Sequence, residues 1–309
     1  MFICKLCSKE FDSTRGLHSH LAKTHAIGQE AYYHQFYPRY DKYSGDLIVY
    51  KDKDHYFDCD FNSRENFAAW LAENYSSPDV KSYCFKKLKE RFNRKNLSYL
   101  PGQIELKSVT IPTVSGFEKI CGGIDQFLAE LSTWQIPNRF DYKSVPEIDK
   151  NSNIEIYVDT REQLPLDFGC KTVKMKLSAG DYACAAPYYS DVFIERKSLS
   201  DLAGTLGGGR ERFEREIERA KELGFYLVVV VETIFSEILH YSTPQRFGKR
   251  VTGAHLAHEI REIMTKHSNV QFVCAGSRKR APVLIENIFR LKGDAKRFDL
   301  EYLKDKNII

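Results

Sequence analysis

The sequence lacks the features of membrane, secreted and repetitive proteins. No apolar run approaches the roughly 20 residues that a membrane helix needs, and no charged and then apolar leader opens the chain. No internal repeat or low-complexity tract is present. Six of the eight cysteines show no paired spacing, which favours reduced thiols over a disulfide framework. We therefore expect an intracellular protein, cytoplasmic or nuclear, with no membrane partner.

Composition and charge set broader limits. The chain has 309 residues, of which 42% are hydrophobic and 28% are charged, and its mean hydropathy is −0.44. A chain of this length and apolar content can bury a core, and its length predicts two or three domains. The net charge of +4 and the isoelectric point near 8.5 permit a nucleic-acid partner without requiring one.

The residues that suit chemistry are concentrated between Asp159 and Asp201. This stretch contains Asp159-Thr-Arg161-Glu162, Gly180-Asp181-Tyr182 and Glu195-Arg196-Lys197-x-x-x-Asp201. Residues 192–197 are typical of a short strand, in which side chains two positions apart share a face, so Glu195 and Lys197 project together. Carboxylates suit a hard divalent cation, and a lysine suits the attacking water or the developing charge. The pattern indicates a metal-dependent nuclease site.

This pattern resembles the nuclease domain of the XPF family of structure-specific DNA endonucleases. The family hallmark is Gly-Asp, a variable gap and Glu-Arg-Lys-x-x-x-Asp. Residues 158–162 are similar to the Val-Asp-x-Arg-Glu opening of that family, and residues 199–213 are similar to the segment after its catalytic strand. The resemblance covers roughly residues 153–292 and implies an α/β fold with a restriction-endonuclease-like core of the PD-(D/E)XK type.

The resemblance implies which residues hold the catalytic metal. Asp181 and Glu195 would be the principal ligands of Mg²⁺ or Mn²⁺, and Asp159 would complete the acidic cluster. Lys197 would orient or activate water and offset charge in the transition state. Glu162 stays open between a metal ligand and a salt-bridge partner.

Three further residues of the motif have implied supporting roles. Arg161 and Arg196 would hold phosphate or buttress the carboxylates. Asp201 would hold a catalytic basic residue in place, with an ordinary acidic residue at a helix start as the alternative.

The N-terminus has the spacing of a zinc site. Cys4 and Cys7 are followed by His20 and His25, with apolar residues in the gap. This resembles a two-Cys/two-His zinc finger of the ββα type over residues 1–26, which folds only with Zn²⁺. Among the positions that read bases in such fingers, Arg15 is the one typical base reader. DNA docking and protein contact both stay open for this unit.

Residues 28–136 are predicted to form a small α+β domain of unassigned family. We expect a β-pair over 47–50 and 55–58, a helix from about Asn62, and a second helix from Pro78. The second helix has an apolar stripe and a basic face. The candidate DNA contacts on that face are Lys86, Lys87, Lys89 and Arg91. A solvated surface is the alternative for these residues.

A polar linker over 137–152 is predicted to precede a nuclease domain over 153–309. The predicted elements are a strand over 154–159, a hairpin over 171–184, the catalytic strand 192–197, a helix over 210–223, a buried strand over 225–231, a helix over 252–267, a strand over 270–275 and a helix over 281–292. The candidate DNA contacts in this domain are Arg210, Arg212, Lys249, Arg250, Arg278, Lys279 and Arg280. For the helical arginines, ion pairs on a solvated face are the alternative.

Two functions remain open on the sequence. The first is a divalent-metal-dependent DNA endonuclease targeted by its finger and middle domain, acting on branched DNA in repair or on specific sites as a mobile-element, phage or defence nuclease. The second is a non-catalytic DNA-binding or adaptor protein that uses the nuclease fold for docking. The retained Asp181, Glu195 and Lys197 favour the first, since docking does not need them. A homodimer through the nuclease domain and an unidentified protein partner both stay open.

Overall fold

The structure, a computed structural model, describes residues 1–107, 110–187, 190–243 and 251–309. The chain packs as two compact units, Met1–Val80 and Lys81–Ile309. None of the described helices is both long enough and apolar enough to cross a membrane.

The first unit consists of a small hairpin and short helices. Its elements are β1 (Phe2–Ile3), β2 (Glu10–Phe11), α1 (Thr14–Thr24), α2 (Gln29–Phe36), α3 (Lys53–Asp58) and α4 (Arg64–Asn74). The two strands pair antiparallel. Side-chain caps determine where three of the helices begin, because Ser13, Asp52 and Ser63 each accept a hydrogen bond from the backbone N–H three residues later.

The hairpin and α1 share one core with the residues that follow them. Leu17 and Leu21 of α1 are buried together with Tyr32, Tyr33 and Tyr56. The Tyr32 hydroxyl accepts a hydrogen bond from the Lys5 amide at 2.9 Å, which ties α2 to the hairpin. The predicted finger is therefore continuous in its packing with residues up to about 60.

The predicted β-pair over 47–50 and 55–58 is wrong. Residues Lys53–Asp58 form α3, and Leu47 makes only an isolated bridge with Tyr40. The Asp52 side chain accepts a hydrogen bond from the His55 amide at 2.8 Å and starts a helical turn, which buries Tyr56 completely. Two short apolar segments around a charged turn indicated a β-pair here, but the cap and the tertiary packing favour a helix over residues 53–58.

The second unit begins with helices. They are α5 (Pro78–Lys95), α6 (Gln103–Leu106), α7 (Val114–Cys121) and α8 (Ile124–Ser132). The predicted apolar stripe of α5 is confirmed: Val80, Cys84, Leu88 and Phe92 are all buried. In the part of the middle region that the structure describes, the regular elements are thus helices, and the β component of the predicted α+β fold is wrong.

A six-stranded mixed sheet is the centre of the second unit. Its strands are β3 (Glu155–Asp159), β4 (Lys171–Met175), β5 (Tyr182–Ala186), β6 (Val192–Lys197), β7 (Tyr226–Val231) and β8 (Val270–Cys274), in the spatial order β4-β3-β5-β6-β7-β8. Strand β5 runs antiparallel to both neighbours, and the other pairs are parallel. The predicted hairpin over 171–184 is wrong, because β4 and β5 lie on opposite sides of β3.

Helices cover the sheet and complete an α/β fold, as predicted. They are α9 (Leu199–Gly207), α10 (Arg210–Glu222), α11 (Phe235–His240), α12 (Gly253–Lys266), α13 (Ala281–Arg290) and α14 (Leu300–Asp305), with a 3₁₀ turn over Lys292–Lys296. Every residue of β7 is buried, as a central strand with both faces covered requires.

Buried polar groups connect the early helices to the end of the chain. Glu301, which is 1% exposed, accepts hydrogen bonds from the Cys274 amide at 2.8 Å and from Lys107 Nζ at 2.5 Å. Asp299 accepts a hydrogen bond from the Gln103 amide at 2.6 Å. Residues 103–107 and residues 299–301 therefore belong to one packed unit, although the predicted domain limits near residues 136 and 153 place them in different domains.

The shared core of the first unit can be tested at Tyr32. We predict that Tyr32→Ala lowers the free energy of unfolding of this unit by about 3–5 kcal/mol, because it removes a fully buried ring. Amide hydrogen exchange in residues 2–11 should rise, since the contact to Lys5 is lost. Tyr40, which is 58% exposed, is the control, and Tyr40→Ala should change stability by about 0.5 kcal/mol or less. Unchanged exchange in the hairpin of Tyr32→Ala would show that the two segments fold independently.

Candidate functional site

Three neighbouring strands bring the motif residues to one edge of the sheet. The Asp159 amide donates to the Asp181 carbonyl at 2.8 Å, and the Asp181 amide donates to the Ile194 carbonyl at 2.7 Å. Asp159 ends β3, Asp181 immediately precedes β5, and Glu195 lies near the end of β6. Because β5 is antiparallel to both neighbours, its beginning lies beside their ends. Asp159, Asp181 and Glu195 are far apart in sequence, but the pairing of these strands brings them close together at one edge of the sheet.

Gly180 allows this close approach. Its φ is +62°, and a Cβ at this position would lie 2.6 Å from the Ile194 carbonyl oxygen. Both the left-handed conformation and the contact exclude a side chain. The glycine of the Gly-Asp pair therefore permits the sheet register that places Asp181 beside β6.

Asp159 is held by Arg161. Arg161 Nε donates to Asp159 Oδ1 at 2.7 Å, and the Leu177 amide donates to Oδ2 at 2.6 Å. Burial raises the pKa of Asp159, but the hydrogen bonds from Arg161 and the Leu177 amide outweigh it and leave the pKa below its usual value. Between the two predicted roles of Arg161, these contacts correspond to buttressing a carboxylate.

Asp181 lies in an unfavourable place for a negative charge. Burial and repulsion from Glu195 raise the pKa of Asp181 from 3.8 to about 7, although the Arg196 amide donates to its Oδ2 at 2.8 Å. A cation bound between the two carboxylates would relieve this repulsion. The donor set, two adjacent carboxylates, is the one that Mg²⁺ and Mn²⁺ prefer.

Glu195 and Lys197 share a face of β6, as predicted. Lys197 Nζ lies 2.5 Å from Glu195 Oε1, and the two side chains are 14% and 15% exposed. Lys197 also lies over the ring of Phe213, which belongs to the core on this side of the sheet. The lysine is thereby held beside the carboxylates.

Arg196 projects from the opposite face of β6. Its guanidinium contacts Glu162 Oε2 at 3.1 Å and Glu232 Oε1 at 3.0 Å, and all three side chains are nearly buried. Glu162 is therefore a salt-bridge partner in this structure, which corresponds to one of its two predicted roles. Glu232 was not predicted as a site residue. Its position directly after the apolar run of β7 was the available signal, because that run places it at the same sheet edge as the motif.

A cleft of about 260 Å³ lies beside the carboxylates. It is lined by Asp159, Arg161, Ser178, Ala179, Gly180, Asp181, Glu195, Glu216, Arg219 and Leu227. Sequence reasoning missed Arg219 and Glu216, which were hidden among the many charges of α10. The predicted contact Arg210 is instead paired with Glu214 at 3.0 Å and with Glu259. Arg212 is exposed and lies 3.7 Å from Glu216.

Asp201 lies in the first turn of α9, as predicted. The Ser198 hydroxyl caps this helix through the Asp201 amide at 3.1 Å and contacts Asp201 Oδ2 at 2.7 Å. These contacts are those of an acidic residue at a helix start. The predicted support of a catalytic basic residue by Asp201 stays a prediction.

The basic face of α5 is only partly exposed. Lys86 and Lys89 are exposed, while Lys87 is 23% exposed and lies 3.8 Å from Glu90. Arg91 is 7% exposed, so its placement on the exposed face is wrong. It is one residue from the buried Phe92 and three from the buried Leu88, which turns it toward the packed side of the helix.

The basic loop after β8 divides into two parts. Arg278 donates to Glu232 Oε1 at 2.9 Å and to the Leu164 carbonyl at 2.6 Å, so it is engaged within the protein. Lys279 and Arg280 are exposed and line a separate cavity of about 800 Å³. The predicted contacts Lys249 and Arg250 lie outside the described residues.

The four predicted zinc ligands converge. Their ligand atoms all lie within 4.8 Å of one another, and four of the six separations among Sγ and Nε2 atoms are between 3.2 and 3.6 Å. The residues are Cys4, Cys7, His20 and His25. Zn–ligand bonds of about 2.0–2.3 Å place tetrahedral ligand atoms about 3.3–3.8 Å apart, so this donor set fits Zn²⁺.

The exposed side of α1 has few groups that can read bases. Ser13 caps the helix through the Gly16 amide at 3.1 Å, and Gly16 has no side chain. Arg15 is exposed, as a base or phosphate contact requires. This arrangement leaves both DNA docking and protein contact open for the unit.

The geometry of the second unit defines a restriction-endonuclease-like α/β domain with an acidic site at the sheet edge. Residues 158–288 match the family model described as the ERCC4 domain. The match includes all of the motif residues from Asp159 to Asp201 and covers less than half of the chain. This region therefore resembles the ERCC4 domain, and the residues outside it are not assigned to a family by the match.

Two solved structures of XPF from Aeropyrum pernix are similar to the chain. The first is 23% identical, covers 44% of this chain and 60% of that chain, and has a TM-score of 0.33. The second, in complex with DNA, is 21% identical, covers 50% and 66%, and has a TM-score of 0.32. The chain thus spans less than two thirds of either structure. No protein of curated function matches it.

The repulsion at Asp181 predicts a pH dependence of stability. Folded Asp181 stays protonated up to about pH 7, whereas an unfolded aspartate ionises near pH 4, so the folded state holds an extra proton between these values. Without added Mg²⁺ or Mn²⁺, this contribution to stability should be present below about pH 4 and lost as the pH rises to about 7. Asp181→Asn should abolish that part of the decline.

Melting temperatures of both proteins between about pH 4 and pH 8 provide the measurement, in a buffer without free divalent cations. Asp191→Asn is the control, because Asp191 is a surface residue paired with Lys296. Identical pH profiles for the parent protein and Asp181→Asn would refute the raised pKa of Asp181.

Proposed function

We propose that the chain is a divalent-metal-dependent DNA endonuclease that hydrolyses phosphodiester bonds. The observation that carries this proposal is the meeting of Asp181, Glu195 and Lys197 at one sheet edge beside a cleft. The match of this region to the ERCC4 domain supports it. Asp181 and Glu195 would hold Mg²⁺ or Mn²⁺, with Asp159 nearby.

The roles of the side chains follow from their places. The bound metal would supply Lewis-acid polarisation of the phosphate and a more acidic water. Lys197 would orient the attacking water and offset negative charge that develops on phosphorus oxygens. Arg161 lowers the pKa of Asp159 by bidentate contact, and Arg161 and Arg219 line the cleft where a phosphate would enter.

The alternative is a non-catalytic DNA-binding or adaptor protein. A docking surface has no need for a partly buried pair of carboxylates whose mutual repulsion destabilises the metal-free fold. The retention of Asp181 and Glu195 together with Lys197 therefore favours catalysis. A test of cleavage separates the two functions directly.

Residues 1 to about 136 are proposed to select the DNA. Contacts to phosphate position a protein but do not read sequence, so selection needs further surfaces. The exposed cations Arg15, Lys86 and Lys89 are the candidates outside the nuclease domain. Branched DNA and specific sites both remain candidate substrates, and a homodimer or another protein could supply part of the selection.

We predict that Asp181→Asn and Glu195→Gln abolish cleavage. Loss of the metal removes several kcal/mol of transition-state stabilisation, which corresponds to a rate lower by about 10³-fold or more. Binding of DNA should persist or tighten, since one negative charge near the phosphate is gone. Cleavage is measured with Mg²⁺ on flap, fork, nicked, linear and plasmid DNA, and binding by fluorescence anisotropy.

The surface variant Asp191→Asn is the control for these assays and should cleave like the parent protein. Full cleavage by either site variant would overturn the assignment of the metal ligands. If the parent protein binds DNA but cleaves none of these substrates with Mg²⁺ or Mn²⁺, the non-catalytic alternative is favoured.

We also propose that Zn²⁺ is bound by Cys4, Cys7, His20 and His25. The separations of their ligand atoms fit a closed tetrahedral site, which is the structural type of zinc site. Cys4 is fully buried and belongs to the aromatic core that includes Tyr33 and Tyr56. The effect of the metal should therefore extend beyond residues 1–26.

We predict that zinc removal unfolds the segment up to about residue 60. Elemental analysis should give about one zinc per chain, and Cys7→Ser should lose it. Hydrogen exchange should then increase in α2 and α3 as well as in the hairpin, because they share the core with Cys4. Cys59→Ser is the control, since Cys59 lies in the same unit outside the cluster. Zinc that persists in Cys7→Ser would contradict the proposed site.

A further inference from the structure

A closed ring of polar contacts lies behind the catalytic strand. Glu162 and Glu232 both contact the Arg196 guanidinium, and Arg278 contacts Glu232 Oε1 at 2.9 Å. Arg278 also donates to the Leu164 carbonyl at 2.6 Å, and the Leu164 amide donates to Glu162 Oε1 at 2.8 Å. This last contact closes the ring at Glu162.

The ring connects the loops that follow three strands. Glu162 follows β3, Glu232 follows β7 and Arg278 follows β8, whereas Arg196 belongs to β6 itself. Side chains alternate along a strand, so Arg196 points to the face opposite Glu195 and Lys197. Its 12% exposure and its two carboxylate partners leave it occupied within the protein.

The Arg196 backbone nevertheless touches the metal-binding side. Its amide donates to Asp181 Oδ2 at 2.8 Å, and its peptide neighbours are Glu195 and Lys197. Any rotation of the Arg196 backbone would shift the amide that donates to Asp181, and it would also change the direction of the Glu195 side chain. Besides the strand pairing of Arg196 with Val230, its guanidinium holds this residue in place, and Glu232 is one of the two carboxylates that contact the guanidinium.

We propose that Glu232 is a positioning residue for the metal site, acting through Arg196. This rests on the proposed function of Asp181 and Glu195 as metal ligands. Glu232 holds the guanidinium from the side of β7, Glu162 holds it from the side of β3, and Arg278 keeps Glu232 in place. The arginine of the motif thus orients the carboxylates from behind and does not contact the phosphate of the substrate.

Metal affinity provides the test, on the full chain with zinc retained. Free Mn²⁺ is measured by electron paramagnetic resonance during titration, and Asp181→Asn defines binding elsewhere. Glu232→Gln keeps the size and an acceptor oxygen but removes the charge. We expect its Mn²⁺ affinity to fall by about 10- to 100-fold, as is usual for residues that orient metal ligands. Glu232→Asp should recover part of this loss.

A matched control separates positioning from general stability. Glu286 pairs with Arg290 at 3.2 Å, and the two side chains are 12% and 13% exposed, so Glu286→Gln also removes a nearly buried ion pair. Its Mn²⁺ affinity should equal that of the parent protein even where its melting temperature falls. If Glu232→Gln binds Mn²⁺ as tightly as Glu286→Gln does, the positioning role of Glu232 is overturned.

Coupling to Arg196 is measured by a double-variant cycle. If Glu232 acts through the guanidinium, Glu232→Gln combined with Arg196→Gln should bind Mn²⁺ no more weakly than Arg196→Gln alone. Additive losses would overturn the route through Arg196. Failure of the proposed function would show itself differently, because the parent protein would then bind no more Mn²⁺ than Asp181→Asn.

Discussion

The insertion of β5 between β3 and β6 is the constraint on which the site depends. One short strand pairs antiparallel with both neighbours, so the residue that begins it meets the ends of the other two. Gly180 permits this at a distance that a Cβ would prevent. The same ladder hydrogen bonds that stabilise the sheet thus place Asp181 beside Asp159 and Glu195, and no loop rearrangement is needed to assemble them.

Bringing acidic groups together has an electrostatic cost that the surrounding cations offset unequally. Asp159 is neutralised by Arg161 and Glu195 by Lys197, while Asp181 has a backbone amide and no cation of its own at hydrogen-bond distance among the described contacts. Its pKa near 7 records that imbalance. A divalent cation is the natural complement, so the carboxylate with the least internal compensation is the one that a metal would stabilise most.

The first unit follows a related principle with different chemistry. Four side chains with metal-ligating atoms converge near its surface, with Cys4 buried and Cys7 exposed, and one ion could contact all of them. Aromatic residues from the following 35 or so positions pack around Cys4 and Leu17 and enlarge what would be a very small core. The zinc-finger pattern therefore forms one part of a larger folded unit.

Local pattern was sufficient for the motif, the convergence of the four Cys and His side chains, the α/β class and most helices, because each depends on short-range spacing along the chain. Glu195 and Lys197 share a face by strand alternation alone, and Ser63 and Pro78 start helices by local chemistry. The place of β4 was decided by tertiary packing, and the helix at residues 53–58 by that packing together with the local cap from Asp52. Tertiary packing also decided the pairing of Arg196 with Glu162 and Glu232, since a strand pattern gives the face of a side chain but not the distant residue that meets it.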